Sequence, residues 1–142
     1  MTVLNFMLDE GGFAPEYAHS DDAGMDLRTP ESFILYQNER KVIDLKVHFF
    51  IEPGFYLAIV PKSGLAAKKG LSIVNTPGTV DAGYTDSVKV ILINLGGKTI
   101  EFEKGDKVCQ AILKKKEDVE LMQVYEVPVT ERGNGGFGST GK

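Results

Sequence analysis

The chain has 142 residues, 42% hydrophobic and 25% charged, with one cysteine and a net charge of −4. That length suits a single domain with a sizeable core and no disulfide staple. The acidic balance argues against a protein that tracks a nucleic-acid backbone with a basic face, though not against one that binds a single nucleotide. Met1 to Glu10 has no basic flank and meets Asp9-Glu10 too soon for a signal peptide. No apolar run approaches the roughly 20 residues of a membrane span. The chain therefore reads as cytoplasmic, with no membrane or nucleic-acid partner.

Strand periodicity dominates. Phe33–Tyr36, Val47–Ile51, Phe55–Val60, Val88–Asn94, Val108–Leu113 and Val119–Tyr125 are short runs rich in β-branched and aromatic residues. Glu52-Pro53-Gly54, Thr76-Pro77-Gly78, Leu95-Gly96-Gly97 and Lys104-Gly105-Asp106 are the turns between them. Ser63–Lys69 can form one short helical turn and nothing longer. Many short, evenly spaced strands predict an all-β sandwich, jelly roll or barrel. The last ten residues hold five glycines and cannot order themselves.

Cys109 lies in an apolar run and reads as a small buried hydrophobe. His19 and His48 are isolated, so no zinc site is expected. Gly97-Lys98-Thr99 imitates the end of a P-loop, but Leu92 stands where the first glycine belongs. Gly96-Gly97-Lys98 is expected to be a hairpin turn. Pro61-Lys62-Ser63-Gly64 follows a strand and opens the helical turn, where free N–H groups, a hydroxyl and a cation suit an anion. Asn75 to Tyr84 looks like a hairpin that offers an amide, the carboxylate of Asp81 and an aromatic wall. Arg132, Ser139 and Thr140 suit phosphate oxygens, and Phe137 suits stacking on a base. Each string alone is more often a plain turn, a core tyrosine or a solvated tail.

Together these strings resemble the trimeric dUTP pyrophosphatase family, whose five motifs occur in order. Ala23-Gly24-Met25-Asp26-Leu27 is similar to the first, Pro61–Gly70 to the second and Asn75–Tyr84 to the third. Gly105–Gln110 is similar to the fourth, and Arg132–Gly141 to the fifth. The resemblance implies a jelly-roll-like β fold of the β-clip kind over residues 1–130, with an arm over residues 131–142. It implies a homotrimer whose active sites are shared between subunits, and hydrolysis of dUTP to dUMP and pyrophosphate. It also implies Mg²⁺ carried mainly by the substrate phosphates, with Asp26 helping through water.

By the same resemblance Asp81 is the general base. Lys62, Ser63, Gly64 and Gln110 face the α- and β-phosphates. Asn75, Gly78, Thr79, Val80 and Lys89 read uracil, largely through backbone. Tyr84 underlies the deoxyribose and excludes a 2′-hydroxyl, and Phe137 covers the base. Arg132, Gly138, Ser139 and Thr140 hold the γ-phosphate. Two positions depart from the pattern: Lys62 replaces an arginine, and Asp86-Ser87 follow Thr85 where a glycine and an acidic residue are usual. A dCTP deaminase shares the fold, but its catalytic glutamate falls at Ile91, which cannot carry protons. A non-catalytic nucleotide-binding jelly roll is the other alternative.

Overall fold

The structure is a computed structural model and describes residues 1–141. Eleven strands and one helix occur among them. They are β1 (Asn5–Leu8), β2 (Met25–Arg28), β3 (Phe33–Leu35), β4 (Arg40–Asp44), β5 (Val47–Phe50), β6 (Phe55–Val60), α1 (Ser63–Lys69), β7 (Leu71–Ile73), β8 (Gly78–Val80), β9 (Lys89–Asn94), β10 (Ile100–Phe102) and β11 (Lys107–Lys115). A four-stranded sheet has the order β2-β11-β6-β8, and a three-stranded sheet the order β4-β9-β7. Two ribbons, β1-β5 and β10-β3, complete the fold, and every pairing is antiparallel.

Alternation sorts side chains between core and outer face. On β9, Val90, Leu92 and Asn94 are buried, while Lys89, Ile91 and Ile93 point outwards. Val90 and Leu92 join Leu27, Leu35, Phe49, Leu57 and Val108 in one apolar cluster. Cys109 is fully buried there, and loss of solvent pushes its thiol up to about 12, so it is an inert hydrophobe.

α1 has the bounds that the sequence indicates, and none of its residues is buried. It ends at Gly70, whose φ of 71° is left-handed. A side chain there would meet the Gly96 nitrogen at 2.5 Å, so glycine is required twice over. Lys68 and Lys69 lie in its last turn and complement the helix dipole.

Three expectations need correction. Gly96-Gly97-Lys98 is not a hairpin turn, because β10 pairs with β3 rather than β9. The loop is instead clasped by buried Asn94, whose amide donates to the carbonyls of Leu35 at 3.0 Å and Lys98 at 2.8 Å and accepts from the Gly96 N–H. Asn75–Tyr84 is not a simple hairpin either: β7 pairs with β9 in one sheet, while β8 pairs with β6 in another. Val119–Tyr125 forms no strand, and Val119, Leu121, Met122, Val124 and Tyr125 are all exposed. Its β-forming composition pairs with no strand of this chain. The sequence reading also missed β1, β2, β4, β7, β8 and β10. These are strands of three to five residues, too short for a periodicity to declare itself.

Candidate active site

The first cluster forms around Asp26. This carboxylate is 1% exposed, on β2. Lys62 Nζ lies 2.5 Å from its Oδ1 and Lys107 Nζ 2.8 Å from its Oδ2, and Gln110 Nε2 donates to Oδ1 at 3.2 Å. Burial raises the Asp26 pKa, but the hydrogen bonds from Lys107, Lys62 and Gln110 outweigh it and hold the group at about 2. Gly24 lets β2 approach, since a side chain there would meet Gln110 Cβ at 3.1 Å. Beside the cluster, Ser63 and Gly64 open α1. The first helical hydrogen bond runs from Ala66 N–H to the Lys62 carbonyl, so the preceding N–H groups have no partner within the helix. The result is two ammonium groups, an amide and free backbone donors around a buried anion, a surface suited to phosphate oxygens.

Lys107 is the residue that sequence reasoning missed. Lys107 and Gln110 are three apart, so a regular strand would send them to opposite faces. The β11–β2 register instead shifts between Lys107 and Cys109, and this bulge turns both side chains towards Asp26. Only its place inside the fourth motif could have flagged it.

The pairing of Asp26 makes an acid-stability prediction. Its folded pKa lies below the ordinary 3.8, so its contribution is complete above 3.8 and lost as pH falls through about 2. Denaturant midpoints should therefore show Asp26→Asn less stable than wild type near neutrality, with the gap closing over that acid range. A gap that is constant with pH would show that the ion pairs contribute nothing.

The second cluster is a slot between β8 and β9. It is lined by Asn75, Gly78, Thr79, Val80, Lys89 and Ile91, with Ile59 and Ile73 at its base. β8 is the outer strand of its sheet, so its far edge keeps unpaired backbone groups turned towards the slot. Ile91 puts an alkyl group there, where a deaminase would need a carboxylate. The loop from Asp81 closes on itself: Tyr84 Oη donates to the Ser87 carbonyl at 2.9 Å, and Ser87 N–H donates to Asp86 Oδ1 at 2.7 Å. Lys89 Nζ reaches Asp86 at 3.4 Å and Ser87 Oγ at 3.3 Å. Asp86-Ser87 thus build the turn by self-capping. Asp81 is exposed and shares a recess with Gly54, Phe55, Tyr56 and Lys116.

Register separates these groups. β6 starts at Phe55, beside the Asp81 recess, and ends at Val60, just before Lys62 and Ser63. Its six residues span roughly 17 Å. One chain therefore does not bring Asp81 to its own Lys62, Ser63 and Asp26. The tail joins neither cluster. Arg132 Nε donates to the carbonyl of Gly135 at 2.7 Å, Phe137, Ser139 and Thr140 are exposed, and Gly138 lies in a local turn. Among the described residues no group of three or more His, Cys, Asp or Glu side chains could hold a metal. Among the described residues, no helix is long and apolar enough to cross a membrane.

The strings that build these clusters and the tail string all fall within one family match. The dUTPase family model matches residues 12–141. The deoxyuridine 5'-triphosphate nucleotidohydrolase of Nautilia profundicola is 42% identical over 135 residues, covering 95% of each chain. That of Clostridium kluyveri is 40% identical over 141 residues, covering 99% of each. In structure, a mutant dUTPase of Staphylococcus bacteriophage 80alpha with dUpNHpp superposes with a TM-score of 0.89 at 26% identity, covering 100% of both chains. A mutant dUTPase of the S. aureus phage phi11, described with a structural Mg(II) ion, gives a TM-score of 0.80 at 27% identity, covering 88% of this chain and 98% of its own. With its whole length aligned to relatives of like size and its fold superposed on theirs, this chain belongs to the dUTPase family.

Proposed function

We propose that the protein hydrolyses dUTP to dUMP and pyrophosphate in a homotrimer whose sites draw on more than one subunit. The observation that carries this is the slot between β8 and β9, open on a strand edge and joined to a loop bearing Asp81 and Tyr84. A pyrimidine edge pairs with such a backbone as another strand would. The Tyr84 ring, anchored through its hydroxyl to Ser87, forms a wall for a 2′-deoxyribose. Asp81 takes a proton from water as the water oxygen bonds to the α-phosphorus. The bond from that phosphorus to the bridging oxygen breaks, and pyrophosphate leaves.

Lys62, Ser63, Gly64 and Gln110 face the α- and β-phosphates, and Arg132, Gly138, Ser139 and Thr140 the terminal one. The ammonium and amide groups around Asp26 fit a triphosphate that brings its own Mg²⁺, and no cage of three carboxylate, His or Cys side chains occurs among the described residues. Bound there, Mg²⁺ supplies charge neutralisation along the phosphates. Asp26 is already engaged on both oxygens, so its first task is to hold Lys62 and Lys107 in place, and any contact with metal-bound water is secondary.

Two features support the trimer. Residues 116–130 have no strand of their own and expose Val119, Leu121, Met122, Val124, Tyr125, Val127 and Val129. The outer face of β4-β9-β7 presents Val42 and Val74 with Ile91 and Ile93. Apolar surface of this kind calls for another subunit. The separation of Asp81 from Lys62 along β6 then means that a complete site needs a neighbour's Asp81.

The test is pyrophosphate release from a panel of nucleoside triphosphates with Mg²⁺. dUTP should be strongly preferred over UTP and dTTP. Tyr84→Ala should raise relative kcat/KM for UTP by about 10- to 100-fold, and that for dTTP much less. Comparable kcat/KM for the three triphosphates would overturn the reading.

A further inference from the structure

His48 on β5 is half-buried and makes two contacts, one with each ring nitrogen. Nδ1 lies 2.8 Å from the carbonyl of Thr85, and Nε2 lies 2.9 Å from Asp9 Oδ2. A peptide carbonyl and a carboxylate only accept, so each ring nitrogen must carry a proton to satisfy its neighbour. Only the imidazolium does both. A neutral ring with its proton on Nδ1 turns a lone pair towards Asp9, and the other tautomer turns one towards the Thr85 carbonyl.

The two partners belong to separate parts of the molecule. Asp9 ends β1 and is held by its own N–H to the Lys46 carbonyl at 3.0 Å, so that side is anchored. Thr85 lies in the loop between β8 and β9 that carries Asp81 and Tyr84. That loop bonds mostly to itself and to Lys89 of β9. Among the described residues, the hydrogen bond from His48 is the one that ties positions 81–86 to any other strand. The charged groups facing the ring are Asp9 from the end of β1 and Asp86 from the loop, and Lys89 holds Asp86. Both carboxylates favour the cation.

We propose that His48 is a positioning residue: as the imidazolium it staples the loop bearing Asp81 and Tyr84 to the β1-β5 ribbon, and dUTP affinity and 2′-hydroxyl discrimination weaken as it loses its proton. This rests on the dUTP reading above. The hydrogen bond to Thr85, the Asp9 partner and the Asp9 charge raise the His48 pKa above 6.5, in that order of effect. The staple is therefore complete below 6.5 and is lost as pH rises through the higher folded value.

The experiment follows the His48 ring and the Tyr84 and Thr85 amides by NMR with pH, alongside KM and kcat for dUTP and UTP. Only His19 and His48 need assigning. The ring midpoint should lie above 6.5, the two amides should shift with the same midpoint, and KM for dUTP should rise through it while kcat changes little. His48→Phe removes both donors and should raise KM about threefold to tenfold below the ring midpoint, the worth of one hydrogen bond, with the gap to wild type closing above it. His48→Asn, whose amide can still reach Thr85 but not Asp9, should recover part of that loss and leave KM flat with pH. Asp9→Asn should move the ring, amide and KM midpoints downward together.

Loop amides that ignore the ring titration would overturn the proposal. So would a wild-type KM below the ring midpoint in a His48→Phe protein with native melting. A wild type that fails to hydrolyse dUTP while its loop amides still follow the ring would leave the staple standing and remove the dUTP reading instead.

Discussion

Asp81→Asn should keep the fold and bind dUTP while losing about 10²- to 10⁴-fold in kcat, the usual worth of a positioned general base. The fold is spared because Asp81 is exposed, beyond the end of β8 and outside the apolar cluster. Binding is spared because the slot uses Asn75, Gly78–Val80 and Lys89, which the substitution leaves alone. The amide is isosteric with the carboxylate but cannot take a proton from water, so the loss should fall on kcat rather than KM. Single-turnover hydrolysis with dUTP binding measured in parallel separates the two. A variant with near-normal turnover would remove Asp81 from the chemistry.

What could be read without coordinates was local. Strand β6 and helix α1 have the bounds that composition and turns indicate, because each is an unbroken run closed by Pro or Gly. Each site string was recognisable because its chemistry lies within about ten residues of chain. Long-range relations were not legible. Lys107 joins Asp26 only through a bulge, and strict alternation predicts the opposite. The Asn75–Tyr84 string looks like a hairpin, yet it holds only β8, which pairs with β6, while the preceding β7 pairs with β9 in another sheet. Val119–Tyr125 has the composition of a strand but pairs with none in this chain, and composition does not say whose edge a strand will find. The distance between Asp81 and Lys62 likewise depends on how β6 runs beneath both, a fact of topology rather than of motif.

Deleting Gly133 to Lys142 should leave assembly and melting temperature nearly unchanged while removing most activity. Among the described residues, Arg132 and its followers bond only to one another and to Thr130, and Phe137 is fully exposed, so the core loses nothing with them. Ordering such a segment costs on the order of 1–2 kcal/mol per residue. Its own few apolar groups do not offset that cost. A triphosphate offers charge to Arg132 and a base to Phe137, so ordering should come with substrate, and hydrogen exchange of the tail should slow when a non-hydrolysable dUTP analogue is added. The same deletion probes how subunits share a site. A tail-deleted chain lacks the arm but keeps Asp81, and a full-length Asp81→Asn chain keeps the arm but lacks the base. Neither parent should turn over at a useful rate. One chain's Asp81 and phosphate cluster lie at opposite ends of β6, and the proposed site combines groups from different subunits. Some sites of a mixed trimer then hold an intact Asp81 and an intact tail together, and subunit exchange should restore a measurable fraction of wild-type turnover. Mixed trimers no more active than either parent would show that each chain completes its own site, and the β6 separation would then have to close by a rearrangement within one subunit.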